Sequence, residues 1–558
     1  MDETYNFVST AFAVLLLASS AESHMQALKE HFVSTKVLDK AQNKSSSTSS
    51  TMMSLFHTIT HKVLEGFQSI RGSPSELYKC FLLKFLDSFS YFSFSLVFTL
   101  FLTADFGYSD LSAGTIYGVW GALVTLFGLL TGVIVDNLGV AASLRIGFVI
   151  QFIAKCLIFN TTSRLTLMLA IALLSLGGCL GIPVLVIGIR RYSTEKNRGF
   201  NFGLFYVIMN FAALLSGPLV DYCTISYESD RGEDEQRMLQ EAYANGEEVQ
   251  WSLTGYRLIV LLGIVTNVLA CIVTISVKEI KVCESGVSGE DNGNDPHRVQ
   301  AFEPEKASMH EIIKETVRSR TFWRFLLVIM VTLNVRMIFR HLDATLPKYM
   351  LREFGDDVRK GTIYSINPFL IIILVPLITA YTTDIDPLLM IHHGCYVSAA
   401  SVFVLSLSTS IPACVIFVVV LSIGEAIWSP RLYDYTCSIA KEGREGTYMA
   451  LSSAPLFLAK LPVGMLSGYL LQKYCPEEGT RNSKLMWLII GLMTASSPIL
   501  LTVCWKFISK KDDDDDDRVL AYSEIPEHEL GPIQQQQRDE NEEYSDLKRR
   551  SNHVANAL

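Results

Sequence analysis

The chain has 558 residues, 49% of them hydrophobic and 18% charged, with a formal net charge of −9. Soluble proteins average about 25% charged residues, and here the missing charge is concentrated in long runs. Segments 111–135, 165–189, 199–220, 258–277, 361–383 and 485–505 contain no Asp, Glu, Lys or Arg, and neither does 387–424. A string of soluble domains is thereby excluded. The acid lies in 228–248, in 512–517 and near the C-terminus, which read as solvated loops and tails rather than as a surface for a basic partner.

In chain order, residues 1–78 read as a tail. The stretch 7–21 is apolar but short, and it follows Asp2 and Glu3 rather than a basic segment. It fits a secretory signal poorly and an interfacial helix equally well. The stretch 43–51 is of low complexity. Twelve spans follow, near 79–103, 111–135, 141–160, 165–189, 200–221, 255–277, 321–343, 361–382, 387–410, 412–435, 447–472 and 485–508, because about 20 apolar residues cross a bilayer as a helix. The long run 387–424 divides into two spans at Ser410-Ile411-Pro412. The expected fold is an all-α membrane protein with twelve transmembrane helices in two six-helix bundles, 79–277 and 321–508. The polar segment 278–320 links them, and 509–558 forms an acidic tail. Two halves of similar length suggest a transporter built from repeats.

Lys and Arg set the orientation. Arg190, Arg191, Lys196 and Arg198 lie in one loop, seven more basic residues occupy 278–320, and Lys506, Lys510 and Lys511 follow the last span. Loops 104–110 and 161–163 have none. Both termini and the linker are therefore expected in the cytoplasm. The segment 344–360 departs from this pattern, with Lys348, Arg352, Arg359 and Lys360 on the opposite side.

Between the second and third spans stands Gly132-Val-Ile-Val-Asp136-Asn-Leu-Gly139, with Arg145 after it. This resembles the loop signature of the major facilitator superfamily. A closer resemblance, over nearly all of 79–508, is to the proton-coupled oligopeptide transporters. It rests on 85–107, on Gly177-Gly-Cys-Leu-Gly-Ile-Pro183, on Phe202-Gly-Leu-Phe-Tyr206-Val-Ile-Met-Asn210, on Tyr364-Ser-Ile-Asn367-Pro368 running to Pro376, and on Gly424-Glu425. The resemblance implies a twelve-helix fold and solute transport. The chain departs from that family's first-span E-x-x-E-R-F motif. Those positions read Lys84-Phe-Leu-Asp87-Ser88-Phe89, and Ile182 and Arg340 replace its fourth-span Lys and seventh-span Glu. Peptide specificity does not carry over with the fold.

Charges within spans are costly and usually face a cavity. Asp87, with Lys84 one turn earlier, is a candidate for proton coupling or for a local ion pair. Arg336 and Arg340 share a helix face, with His341 and Asp343 beside them. Two guanidiniums facing a cavity suit a carboxylate or phosphate, while a gate of salt bridges is the alternative. His341 is a second candidate for proton coupling, or is simply hydrogen-bonded. Glu425 and Lys460 fall near mid-depth on sequential spans and are expected to pair. Tyr91, Asn210, Asn334 and Asn367 are uncharged polar residues at similar depth. Asn367-Pro368 is the expected point of local unwinding. The candidate solute site is thus Tyr91, Asn210, Arg336, Arg340, Asn367, Glu425 and Lys460. Asp136, Arg145, Arg431 and Asp434 are the candidate inner gate.

The chain has no P-loop, no G-x-S-x-G and no Cys/His metal spacing, so neither enzyme activity, a cofactor nor a metal is expected. No basic patch interleaved with aromatics suggests nucleic acid. The eleven cysteines read as small packing hydrophobes. Tyr522-Ser-Glu-Ile525 and Tyr544-Ser-Asp-Leu547 match a sorting-adaptor pattern, which points to the plasma membrane or to endosomal and lysosomal membranes. The sequence is thus read as a secondary transporter of a small polar or anionic organic solute, working by alternating access. The alternatives are a proton-coupled peptide symporter and a non-transporting sensor or receptor.

Overall fold

The computed structural model describes residues 73–227, 249–283, 298–300, 320–382, 385–439 and 459–508, with a few residues around 68–71 and 238–245. The readings for the N-terminal tail before these, for 440–458, and for Tyr522 and Tyr544 lie outside the described residues, as do the side chains of Asp136 and Asp434.

The first half begins with α1 (Ser75–Phe106), which ends at Gly107 in the left-handed region, φ 60°. Ser109 then accepts the amide of Ser112 and starts a helical run that continues to Asn160, broken at Gly139, where φ is 80°. The break yields two spans, α2 (Asp110–Gly128) and α3 (Leu138–Asn160), because glycine alone takes that conformation without strain. The fourth span is divided into α4 (Arg164–Cys179) and α5 (Ile182–Tyr192). A capping box of Thr194 and Asn197 opens α6 (Glu195–Ser226), and Thr254 caps α7 (Gly255–Ile275).

The second half contains α8 (Arg320–Ala344), the short α9 (Leu346–Phe354) and α10 (Lys360–Tyr381). Asp386 caps α11 (Pro387–Leu407), whose first residue is proline. It is followed by α12 (Ile411–Ile439), α13 (Lys460–Tyr474) and α14 (Ser483–Ile508). In the linker, Lys281–Cys283 pairs antiparallel with Arg298–Gln300. Ten of the described helices, and α4 and α5 taken together, are long and apolar enough to span a membrane. The remaining span is α13, whose description starts at Lys460, inside the predicted 447–472. Exposed Leu165, Ile272 and Val503 are the outward apolar surface expected of a protein solvated by lipid.

One expectation fails here. The helix α10 runs unbroken through Pro368 and Pro376; the unwound point is instead at Leu180-Gly181, where Gly181 leaves helical geometry just before Pro183. Packing accounts for the difference. The helix α10 is clamped between α6 and α12 along much of its length. The Leu180-Gly181 break is held from outside instead, because the carbonyl oxygens of Gly177 and Cys179 accept bonds from Gln151 and Thr131.

The two halves share one apolar core. It runs from α1, α2, α4 and α7 into α8, α11, α12, α13 and α14. A second core, around Leu77, Leu144, Ile189 and Ala270, belongs to the first half alone. The halves meet along two seams, α2 against α13 and α6 against α10.

Candidate functional site

The seams are built on glycine. A methyl on Gly114 would collide with the carbonyl oxygen of Gly464, and one on Gly464 with that of Gly114; Gly468 abuts Asp110 in the same way. At the other seam Gly217 and Gly361 face each other as closely. These contacts lie at the end of the molecule where α1 stops and α2 starts. Two short Gly-x-x-x-Gly runs, Gly114 to Gly118 and Gly464 to Gly468, therefore let backbones touch. The sequence reading passed over them.

At that same face, acids of the first half grip the second. Asp110 at the start of α2 pairs with Lys348 at 2.8 Å and with Arg352 at 2.8 Å, both from α9. Burial pulls the Lys348 ammonium below the ordinary lysine range, and Asp110 opposes that pull. Asp221 on α6 accepts the backbone amides of Gly361 and Thr362 at 2.7 Å each and the Thr362 hydroxyl at 2.6 Å, so a carboxylate sits at the N-terminus of α10. Lys360 donates to Thr224. This explains the departure from the orientation rule in 344–360. Lys348 and Lys360 are buried and Arg352 is half-buried, and they bond to the other half instead of standing free in a loop.

Deeper along the interface lies a cluster of buried charge. Arg340 donates from Nη1 to Asp343 Oδ2 at 3.1 Å and to the Tyr91 hydroxyl at 3.3 Å. Asp343 also accepts from Ser95 at 3.1 Å and from Tyr117 at 3.2 Å. One carboxylate of α8 thus holds hydroxyls from α1 and α2. Arg336, one turn before Arg340, lies with its guanidinium 5.7 Å from the centre of the Trp428 ring. Lys460 Nζ is 3.6 Å from the centre of the Trp120 ring, with Tyr117 and Tyr91 at 4.7 and 4.9 Å. Glu425 Oε2 accepts from Asn367 at 2.8 Å, and Asn367 also donates to Ser422.

The expected Glu425–Lys460 ion pair is therefore not formed. The Lys460 ammonium faces aromatic rings of the first half, and Glu425 bonds within its own half. Sequence depth placed the two at one level, but rotation about the helix axes turned them apart. Tyr91, Arg340 and Lys460 do come together, with Arg336 a turn away. Asn210 donates to the Tyr206 carbonyl of its own helix, and Asn334 donates to Ser496. His341 bonds Thr345 one turn on, at 2.7 Å, and lines a small cavity with Asn334 and Thr494.

Asp87 and Lys84 are both buried, and they belong to a second cluster inside the first half. Lys155 donates to Asn267 at 2.7 Å and to Gln151 at 3.5 Å. Lys84 lies over the Phe205 ring at 4.6 Å. Asp87 sits beside Gly181, at the break in the fourth span. Lys155, stranded within the third span, was the available signal and was overlooked.

Of the candidate inner-gate residues, Arg145 and Arg431 each bond within their own half. Arg145 donates to the carbonyls of Thr274 and Val277 at the end of α7, so it caps a helix of its own half. The N-terminus of α3 is served instead by Glu279, which accepts the Ala141 amide at 2.8 Å and pairs with Arg191 at 2.9 Å. Arg431 donates to the carbonyl and hydroxyl of Thr382 at the end of α10, again within one half. A helix C-terminus leaves carbonyls unsatisfied, and these arginines answer that need.

Two matched bundles, joined by glycine seams at one face and by buried charge at mid-depth, carry the sequence pattern of the family model described as Major Facilitator Superfamily, which matches residues 80–459. The chain belongs to the major facilitator superfamily. This facilitator chain is a multi-pass membrane protein and a secondary transporter. Among curated proteins, none matches it by sequence. Among solved structures it is similar to a POT family transporter in complex with 5-aminolevulinic acid, with TM-score 0.58 and 14% identity, over 78% of this chain and 97% of that one. It is similar to the POT family transporter PepTSo, with TM-score 0.59 and 12% identity, over 79% and 99% of the two chains. It also resembles the nucleoside transporter NupG, with TM-score 0.57 and 11% identity, over 78% and 100%. At such identities the likeness is one of fold.

Proposed function

We propose that this facilitator moves a small polar organic solute bearing an anionic group, by alternating access, with the solute held where α1, α2, α8, α12 and α13 converge. The observation that supports this reading is the charge at the interface. Arg340 and Lys460 are buried there; among the described residues Asp343 pairs with Arg340, while half-buried Glu425 bonds Asn367 and Lys460 lies against aromatic rings. A buried excess of cations is costly, and a bound carboxylate or phosphate relieves it through charge-assisted bonds.

The seams at Gly114–Gly464 and Gly217–Gly361 support closure of one face by rigid approach of the halves, with Asp110 and Asp221 as its latches. The basic loops place the linker and both termini in the cytoplasm under this reading, so the closed face is the non-cytoplasmic one. Tyr522 and Tyr544 then lie where sorting adaptors reach them, in the plasma membrane or endosomal and lysosomal membranes.

A second reading, proton-coupled peptide symport, is favoured by one feature: Asp87 and Glu425 are carboxylates inside spans, one in each half. POT family structures similar in fold include complexes with 5-aminolevulinic acid and with a conjugated peptide. The deciding experiment is counterflow in proteoliposomes across a panel of carboxylates, phosphates, dipeptides and nucleosides, with and without an imposed pH gradient. Exchange of carboxylates that is lost in Arg340→Gln supports the proposal. Dipeptide uptake driven by the gradient and abolished by Asp87→Asn supports the second reading. No flux with any of these, alongside solute-induced stabilisation, favours a sensor.

A further inference from the structure

We propose that the aromatic box of Tyr91, Tyr117 and Trp120 is a binding site for the ammonium group of a transported solute, and that Lys460 is its tethered occupant, displacing that group as the halves close. This rests on the transport reading above and narrows its solute to one carrying an ammonium group as well as an acid.

The box belongs entirely to the first half. Tyr91 comes from α1, and Tyr117 and Trp120 come from α2. The rings support one another without help from the lysine. Tyr91 and Trp120 have centroids 5.7 Å apart, and Tyr117 meets Trp120 edge to face at 6.2 Å. Phe98 backs Trp120 at 5.0 Å. The pocket is therefore preformed, and its ring faces carry the negative end of the aromatic quadrupole, which attracts a cation.

The occupant belongs to the other half. Lys460 is 1% exposed, and among the described residues no carboxylate oxygen lies within ion-pair distance of it. Its ammonium is held by rings at 3.6, 4.7 and 4.9 Å. Lys460 also sits at the end of the α2–α13 seam, since a methyl on Gly118 would come 2.9 Å from Leu461 and 3.1 Å from the Lys460 carbonyl. Separating α2 from α13 withdraws Lys460 from the box.

What remains is three ring faces that have lost the positive charge they held. An ammonium ion restores that charge; an anion or a neutral group does not. On closure Lys460 returns, and two cations cannot occupy one box. The solute's ammonium is expelled while Arg336 and Arg340 still face its acid group. The competition makes closure of this face and release of the ammonium a single event.

The test uses the full-length Lys460→Ala protein, with thermal unfolding followed against tetramethylammonium and ethylammonium chlorides. Sodium chloride at matched ionic strength and tert-butanol serve as charge and shape controls. A saturable upward shift in Tm with the ammonium ions alone is expected for Lys460→Ala. It should be absent in the wild type, whose box is filled, and lost in Lys460→Ala combined with Trp120→Leu. No saturable shift in Lys460→Ala overturns the proposal, as does a shift that survives Trp120→Leu. Should Lys460→Ala fail to fold, Lys460→Met carries the same expectations. In wild-type proteoliposomes an amino-carboxylate should compete for counterflow at least about tenfold better than its N-acetylated form, a difference of about 1.4 kcal/mol; equal competition overturns the proposal. Carboxylate counterflow with no ammonium binding removes the box but leaves the transport reading. Ammonium binding with no flux does the reverse.

Discussion

Two buried Arg–Asp pairs in this molecule share their chemistry and differ in their address. Arg257 Nε meets Asp105 at 2.7 Å, and Arg340 Nη1 meets Asp343 at 3.1 Å. The first pair is sealed inside one half. Arg257 also donates to the carbonyls of Phe159 and Thr161, and Asp105 accepts from Thr254, all on the same bundle. The second pair is completed by the other half, through Tyr91, Ser95 and Tyr117. A pair sealed within a rigid body contributes stability and does not change as the bodies rock. A pair shared between bodies must be remade in each cycle, so conformational control resides there.

The sharpest way to break this comparison is to hold the halves apart. Gly464→Leu sets a side chain against the Gly114 carbonyl. Transport is expected to fall by more than about 100-fold, since overpacking costs about 1–3 kcal/mol even for extra methylenes, and here the contact is with backbone. Cysteine labelling should show the closed face becoming accessible. Next in size, Arg340→Gln and Arg257→Gln should each lower stability by about 3–5 kcal/mol, the cost of stranding a buried carboxylate. Only Arg340→Gln should abolish flux in the fraction that remains folded, measured as initial rate per folded protein. Equal loss of flux in both would show that address is irrelevant.

A smaller effect is expected from Asp110→Asn. Lys348 loses its carboxylate, while Arg352 keeps Glu477 at 3.5 Å and its bond to the Cys475 carbonyl. Exchange between states should shift several-fold toward the open face, in the range of about 1–3 kcal/mol for a charged hydrogen bond, as measured by distance distributions between spin labels. Smallest is Ser95→Ala, which removes one of three donors to Asp343. About 0.5–1.5 kcal/mol should appear as a modest fall in Tm and a few-fold change in exchange rate.

Much of this fold was legible in the sequence. The uncharged runs placed most of the described spans to within a few residues, and Gly139 marked the turn between the second and third. The interior charges were legible as types: Asp87, Arg336, Arg340 and Glu425 lie inside helices, and Lys460 opens the described part of α13. Their partners were not. Glu425 turned to Asn367 and Lys460 to Trp120, because a helix rotation of about 100° per residue decides which neighbour a side chain meets. Arg145 and Arg431, read as gate residues, cap helix ends. Asp110 and Asp221 drew no reading from the sequence, yet they cross between halves.

Sequence by itself determined that this chain spans a membrane many times, that it divides into two comparable bundles, and that it strands a small set of charges at depth. Those follow from the cost of placing polar groups in hydrocarbon, which acts on each segment separately. Only the tertiary structure decided which half completes each charge, where backbone touches backbone at Gly114–Gly464 and Gly217–Gly361, and that an aromatic box holds Lys460. Those depend on how two rigid bundles dock, and docking is fixed by contacts between residues hundreds of positions apart.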